Sequence, residues 1–330
     1  MATYKEVQGT AVTNYAGDKP SVVEGELWYD STNQAFKFQY PNTTSAWSTG
    51  GNLNTGREQT TGAGSQTASL AVAGENSTGI IAVTESYNGS AWTEVNDLNT
   101  ARYWSRGGGT QTSALQAGGE TYPYTAATES WNGTCWSEVN DLNTARTAFA
   151  GGGTDNTSSI VFAGRSNQPA PTANVTGLTE SWNGTCWAEE NDMNTTRKQN
   201  GGCGISTAAL TFGGATPSAI ALTESWNGTS WTEVGDLNTA RFDIQGTGTY
   251  TLAVAFGGSL DPPTFANTEE WNGTSWSETT NLSIARDRHG ATGTQTAALA
   301  FGGAPVPTAG TATEEWTGAG SPLIYTFTDS

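Results

Sequence analysis

Six arginines, Arg57, Arg102, Arg146, Arg197, Arg241 and Arg286, stand 44–51 residues apart, and six glutamates, Glu85, Glu129, Glu180, Glu224, Glu269 and Glu314, recur in step with them. A ring of guanidinium groups is chemistry for gripping sugars, whereas guanidinium matched one-to-one with carboxylate is chemistry for structural ion pairing. Every copy uses both residues, and sites that act on a substrate usually break symmetry, so Arg–Glu pairs between successive units are expected. Asp97, Asp141, Asp192 and Asp236 also share one repeat position. Clustered carboxylates hold Ca²⁺ through about six to eight oxygens. No Asp-rich loop concentrates these four, and packed sheets lie about 10 Å apart, so the expectation is solvated turns and no metal.

The remaining reactive side chains are few. His289 is the single histidine, and Cys135, Cys186 and Cys203 are an odd number without CxxC spacing. That leaves almost no material for a His-based catalytic system, a disulfide framework or a structural zinc site. Cys135 and Cys186 occupy the position held elsewhere by Ala91, Ser230 and Ser275, and read as small-residue substitutions. Asn88, Asn132, Asn183, Asn227 and Asn272 lie in Asn-Gly-Ser/Thr sequons. The stretch Met1–Glu6 lacks the apolar core of a secretory signal, so these asparagines are assigned to turns. Glycoside hydrolysis needs only two carboxylates, which keeps a polysaccharide-acting enzyme as a third reading. No catalytic residue and no cofactor is assigned.

The elements that must position these groups follow from a repeat. Thr84 to Glu94 returns as Thr128 to Glu138, Thr179 to Glu189, Thr223 to Glu233 and Thr268 to Glu278, and a sixth copy starts at Thr313. Each second Trp leads into an Asn-Asp-Leu-Asn-Thr-Ala-Arg-like stretch, and each Arg into a Gly-rich segment and an apolar run closed by Gly-Gly. Ala297 to Phe301 suits a strand buried on both faces. Glu269 to Trp276 suits a tight hairpin whose Asn272-Gly273 favours type I′ geometry. Four short antiparallel strands per unit cannot cover their own faces, so the units must stack on one another.

Composition supports that reading and removes others. Leu, Ile, Val and Phe make up only about 14 % of the 330 residues, a disorder-like share, yet the chain holds 13 Trp and 42 Gly. Eleven Trp fall on two repeat positions: Trp47, Trp92, Trp136, Trp187, Trp231 and Trp276, and Trp131, Trp182, Trp226, Trp271 and Trp316. Large aromatics therefore replace aliphatics in the core, and disorder is expected only for residues 1–24. The net charge of −18 argues against gripping nucleic acid or an anionic membrane. No window reaches 18 consecutive apolar residues, so no membrane insertion is expected.

The Gly-Gly pair, the Trp-bearing hairpin and the Arg that opens each unit resemble the kelch repeat over residues 44–318, with Trp often standing where kelch repeats carry Tyr. The resemblance implies an all-β propeller of six four-stranded blades, its ring closed by N- and C-terminal strands. Seven blades follow if Leu27 to Tyr40 and Leu323 to Phe327 form a mixed one. Copper-radical oxidases also use kelch propellers, but such a site needs several His and Tyr ligands, which one His rules out. The segment Gly25-Glu26-Leu27-Trp28-Tyr29 through Lys37 reads as a hairpin over 26–40. It resembles an element of tailed-bacteriophage tail and fibre proteins, and Met1 to Gly9 joined to such repeats looks like structural proteins of marine phages. That resemblance implies a virion protein made in the host cytoplasm. Residues 1–43 would attach it to other tail or capsid proteins, and 44–330 would form the propeller. The Gly-Gly-to-Thr-Glu connections vary most and should share one face. Tyr122, Tyr124, Pro262, Pro263 and Phe265 in them are the expected binding residues, for a host-surface glycan or protein; the second reading is a purely architectural tail or baseplate module without a host ligand.

Overall fold

Each apolar run has only its two faces to bury, and each sheet must borrow its cover from a neighbour. A computed structural model of the chain describes residues 12–17, 26–41, 44–166, 174–305, 310–320 and 322–327. It is all-β, with no helix among the described residues and hence none able to cross a membrane. Two compact units are present: Ala46–Thr317, and Met1–Ser45 together with Gly318–Ser330.

The larger unit holds six four-stranded antiparallel sheets. The first runs Thr61–Gly64, Ser69–Asn76, Gly79–Tyr87, Trp92–Val95. The second to fifth repeat the plan and open on Arg106–Thr110, Ala150–Asp155, Gly201–Ile205 and Gln245–Gly248. The sixth opens on Gly290–Gly293 and takes its last strand, Ala46–Thr49, from the start of the unit, pairing Trp47 with Trp316. The six opening strands neighbour one another in the order first to sixth and back to first. These repeated sheets are consistent with a propeller.

Packing explains the composition. Six buried apolar clusters lie among the described residues, each shared by two successive sheets and sealed by one linker side chain: Leu53, Leu98, Leu142, Met193, Leu237 or Leu282. The outer tryptophans stitch the seams. Nε1 of Trp92, Trp136, Trp187, Trp231, Trp276 and Trp47 donates to Oγ1 of Thr313, Thr84, Thr128, Thr179, Thr223 and Thr268 of the preceding sheet, at 3.0–3.3 Å. Toward the centre the opening strands approach backbone to backbone. A Cβ on Gly108 would sit 2.4 Å from the Gly153 nitrogen, and one on Gly152 would sit 2.4 Å from the Gly204 oxygen. Only glycine fits such an approach.

The Arg–Glu pairs form, and all six arginines are fully buried, so they offer no surface for a sugar. Each Arg ends the linker from one sheet and pairs with a Glu in the third strand of the next. In the fourth sheet Arg197 Nη2 donates to Glu224 at 2.5 Å and Nη1 to the Leu222 carbonyl at 2.6 Å. The same carboxylate accepts the Asn194 and Thr195 backbone N–H groups and the Asn194 side chain. Burial pulls the Arg197 guanidinium below its ordinary pKa, and Glu224 pulls it back.

Two expectations change. The Asn-Gly hairpin is not a two-residue type I′ turn: Trp271 pairs with Trp276, leaving a four-residue loop in which only Gly273 has positive φ. The Asn272 carboxamide oxygen accepts the N–H groups of Thr274 and Ser275, so side-chain chemistry, not a second left-handed residue, makes the turn. The expected domain 44–330 also ends early, because Pro322–Thr326 pairs with Ala35–Pro41 in the smaller unit.

That smaller unit contains one four-stranded sheet, in the order Thr13–Tyr15, Leu27–Asp30, Ala35–Pro41, Pro322–Thr326. The expected hairpin is present. Asp30 organises it, accepting from Gly17, Thr32 and both nitrogens of Asn33 and pairing with Lys37 at 3.0 Å. Asn33 first, with Lys37 and the backbone N–H groups, holds the Asp30 carboxyl well below the usual carboxylate range despite desolvation. Met1 to Gly9 and most of residues 1–24 lie outside the described residues.

Removing one partner of a buried ion pair leaves an uncompensated charge. Glu224→Ala should therefore lower stability by roughly 3–5 kcal/mol, read from the urea midpoint. Glu233→Ala on the exposed outer strand should stay within about 0.5 kcal/mol. Equal effects would refute the clamp.

Candidate binding site

In all six linkers the residue after the Arg bridges to the residue after a Gly-Gly pair or its equivalent: Glu58 to Glu75, Tyr103 to Glu120, Thr147 to Arg165, Lys198 to Ala215, Phe242 to Ser259 and Asp287 to Ala304. The residue after that, Gln59, Trp104, Ala148, Gln199, Asp243 or Arg288, is left-handed every time, with φ between 49° and 56°. Their backbones form a closed ring. Each N–H donates to the carbonyl of the preceding member, and Gln59 closes the circle onto Arg288 at 2.6 Å. Left-handed backbone costs a non-glycine residue about 1–2 kcal/mol. Glycine is abundant in this chain, yet none of the six positions uses it. Strain retained at six equivalent places keeps six side chains there, and such outliers point toward function.

Those side chains break the symmetry of the scaffold. Asp243 is buried and accepts Gln199 Nε2 at 3.0 Å and Arg288 Nε at 3.4 Å. Arg288, about 30 % exposed, also reaches Glu58 at 3.6 Å. Burial pushes the Asp243 carboxyl up to about 6; Arg288 opposes the shift and Asp287 adds to it. Burial likewise raises Glu58 and Asp287. Across the ring, Trp104 packs at a tilt on Tyr103 with ring centroids 5.4 Å apart, and Tyr122 packs on Tyr103 at 5.9 Å. Burial raises the Tyr103 hydroxyl, helped by hydrogen bonding with Tyr122 and by the charge of Glu120. Tyr122 is 71 % exposed and also left-handed.

The expected binding residues do not converge. Tyr122 joins the aromatic shelf, and Tyr124 bridges back to Glu120 in the same loop. Pro262, Pro263 and Phe265 sit in the equivalent loop of the fifth sheet, three places round the cyclic order. The Pro262 and Pro263 side chains are exposed and Phe265 is half-buried. Residues 167–173 and 306–309 of the other variable loops lie outside the described residues. The shared-position aspartates act locally: Asp97, Asp141 and Asp236 accept the N–H of Thr84, Thr128 and Thr223. Among the described residues no group of three His, Cys, Asp or Glu could hold a metal. His289 is buried against Phe256 at 5.4 Å. Burial, with Arg286 and Arg106, lowers its pKa well below the ordinary value.

Inside the six opening strands lies a cavity of about 140 Å³. Glycines supply most of its wall, and its polar side chains are Arg106, Gln245, Thr61, Thr247 and Thr292, with Cys203 beside them. Burial pushes the Cys203 thiol up to about 12, so it stays protonated at neutral pH.

No family model matches the sequence, and no curated protein matches it.

The raised Asp243 carboxyl has a signed consequence. A folded pKa above the unfolded value of about 4 favours the native state at low pH, and that advantage fades as pH rises through about 6. Asp243→Asn should gain stability relative to the parent between pH 4.5 and 7.5, by roughly 2–3 kcal/mol. Parallel stability–pH curves would show that Asp243 does not titrate there.

Proposed function

We propose that the chain is a non-enzymatic virion protein of a tailed bacteriophage: a six-bladed kelch-like propeller that presents its loop-bearing rim to a host-surface glycan or protein. One observation carries this reading: the ring of six non-glycine left-handed residues, whose Trp104 continues through Tyr103 to the exposed Tyr122. Aromatic faces cover the apolar side of a sugar ring, and adjoining carboxylates and carboxamides hydrogen-bond its hydroxyls. Glu58 and Gln199, both half-buried, and the partly exposed Arg288 supply those polar partners. A rigid scaffold with diverging loops is the usual support for recognition. Residues 1–43 attach the protein to other tail or capsid proteins. In the smaller unit, Leu27, Phe36 and Phe327 keep 40–51 % of their surface exposed and line one apolar hollow, a feature of docking surfaces.

A second reading has an observation of its own. A buried carboxyl shifted toward neutral pH beside an arginine is a feature of acid–base sites, which fits a polysaccharide-acting enzyme with Asp243 as the acid. Release of reducing ends from host polysaccharide, lost in Asp243→Asn, separates that reading from display. A purely architectural tail or baseplate module binds no host ligand at all.

Purified protein should bind host cells or their isolated surface polysaccharide. Tyr122→Ala and Trp104→Ala should each weaken binding at least about tenfold, since truncating an aromatic anchor of a binding site costs about 2 kcal/mol or more. Absence of binding favours the architectural module, and unchanged binding by both variants moves the site elsewhere. Deleting residues 1–43 should abolish incorporation into the particle while the six-sheet unit, with its Trp47–Thr268 hydrogen bond, stays folded. Normal incorporation of the truncated chain would refute the attachment role.

A further inference from the structure

The six linker arginines and Arg288 each face a carboxylate. Arg106 does not. It opens the first strand of the second sheet, and its side chain lines the axial cavity. Its Nη1 donates to the Ser105 carbonyl at 3.2 Å, and no carboxylate among the described residues lies within ion-pairing distance of it. The equivalent positions hold Thr61, Ala150, Gly201, Gln245 and Gly290, so the cavity wall carries one charged side chain. Asp243 is the charge that acts on Arg106 electrostatically, but Gln199 and Arg288 already occupy its carboxylate. The surrounding strands desolvate the guanidinium and lower its pKa to about 10, which leaves it cationic at neutral pH. Arg106 is half-buried, and a partly desolvated cation without a partner is favoured by whatever supplies the counter-charge.

We infer that the axial cavity binds a small oxyanion, of the phosphate or sulfate class, on the Arg106 guanidinium. The fork geometry of arginine suits two oxygens of such an ion. Each opening strand pairs with a single strand of its own sheet, so its other edge offers backbone N–H groups toward the centre. Thr61 and Gln245 add neutral donors at positions equivalent to Arg106. Size sets the class: about 140 Å³ is ample for an ion with water, which needs about 10–15 Å³ per molecule. It falls well short of the ~300 Å³ at which pockets for larger organic ligands begin. The cavity site is independent of glycan recognition at the rim.

Inorganic phosphate and sulfate, titrated separately into the full chain at constant ionic strength, test the inference by calorimetry and thermal melting. One saturable site per chain is expected, with a melting temperature that climbs with anion concentration. Arg106→Gln places at this position the side chain already present at 245. It should bind at least tenfold more weakly, lose the anion-dependent rise, and melt no lower than the parent in anion-free buffer. Arg106→Thr, matching position 61, gives the same reading should the Gln variant misfold. Absence of any phosphate or sulfate effect on the parent would overturn the inference, as would undiminished binding by the folded variants.

Discussion

In the larger unit, the interaction on which the rest depends is a carboxylate shared between an arginine and the backbone of a linker. Glu224 neutralises Arg197 and at the same time accepts the N–H groups of Asn194 and Thr195. One buried group thereby fixes the charge, the path of the linker and the spacing between two sheets. Neutral side chains could fill the volume, but they could not hold two backbone donors, a carboxamide and a guanidinium at once. Because the clamp recurs six times, small errors in the angle between sheets cannot accumulate. The Gly303 N–H meets the Arg57 carbonyl at 2.9 Å as its counterparts do elsewhere.

The clamp also explains how scaffold and candidate site remain separate. Arginine, glutamate, asparagine and tryptophan at repeated positions set the backbone. The residue two places beyond each arginine takes the same left-handed turn in every unit while its side chain differs, as Gln59, Trp104 and Ala148 show. Sequence there is free to diverge without altering the ring of hydrogen bonds beneath it. The same holds one layer inward, where Thr61, Arg106 and Gln245 hang from equivalent backbone.

What was legible in the sequence is what repeats. Strand order, the closing strand at Trp47, the Arg–Glu pairs and the aromatic core all follow from phased copies. The site was mostly illegible for the complementary reason. Gln59, Asp243 and Arg288 share neither type nor charge, and φ is invisible in a string of letters. Their signal is a position that varies beside an arginine that does not. Tyr122 is legible because the Gly-Gly-to-Thr-Glu connections vary most between units, whereas its contact with Tyr103 requires the fold. The type I′ expectation failed because Asn-Gly can turn through the asparagine side chain, and the choice depends on loop length. The grouping of Pro322–Thr326 with Ala35–Pro41 is legible only as the alternative that joins Leu27 to Tyr40 with Leu323 to Phe327, because no repeat announces that long-range pairing.

The sixth sheet unites residues from opposite ends of its unit: Ala46–Thr49 pairs with Thr313–Thr317, and Trp47 bonds to Thr268, 221 positions along the chain. During synthesis the earliest of these strands emerges with no partner and waits for nearly the whole unit to be made. Contacts of such sequence separation slow folding. Once joined, they oppose piecemeal fraying, because the first and last strands hold each other. The finished ring is therefore a latch whose two halves are made at different times, and its persistence is set by how rarely that latch opens.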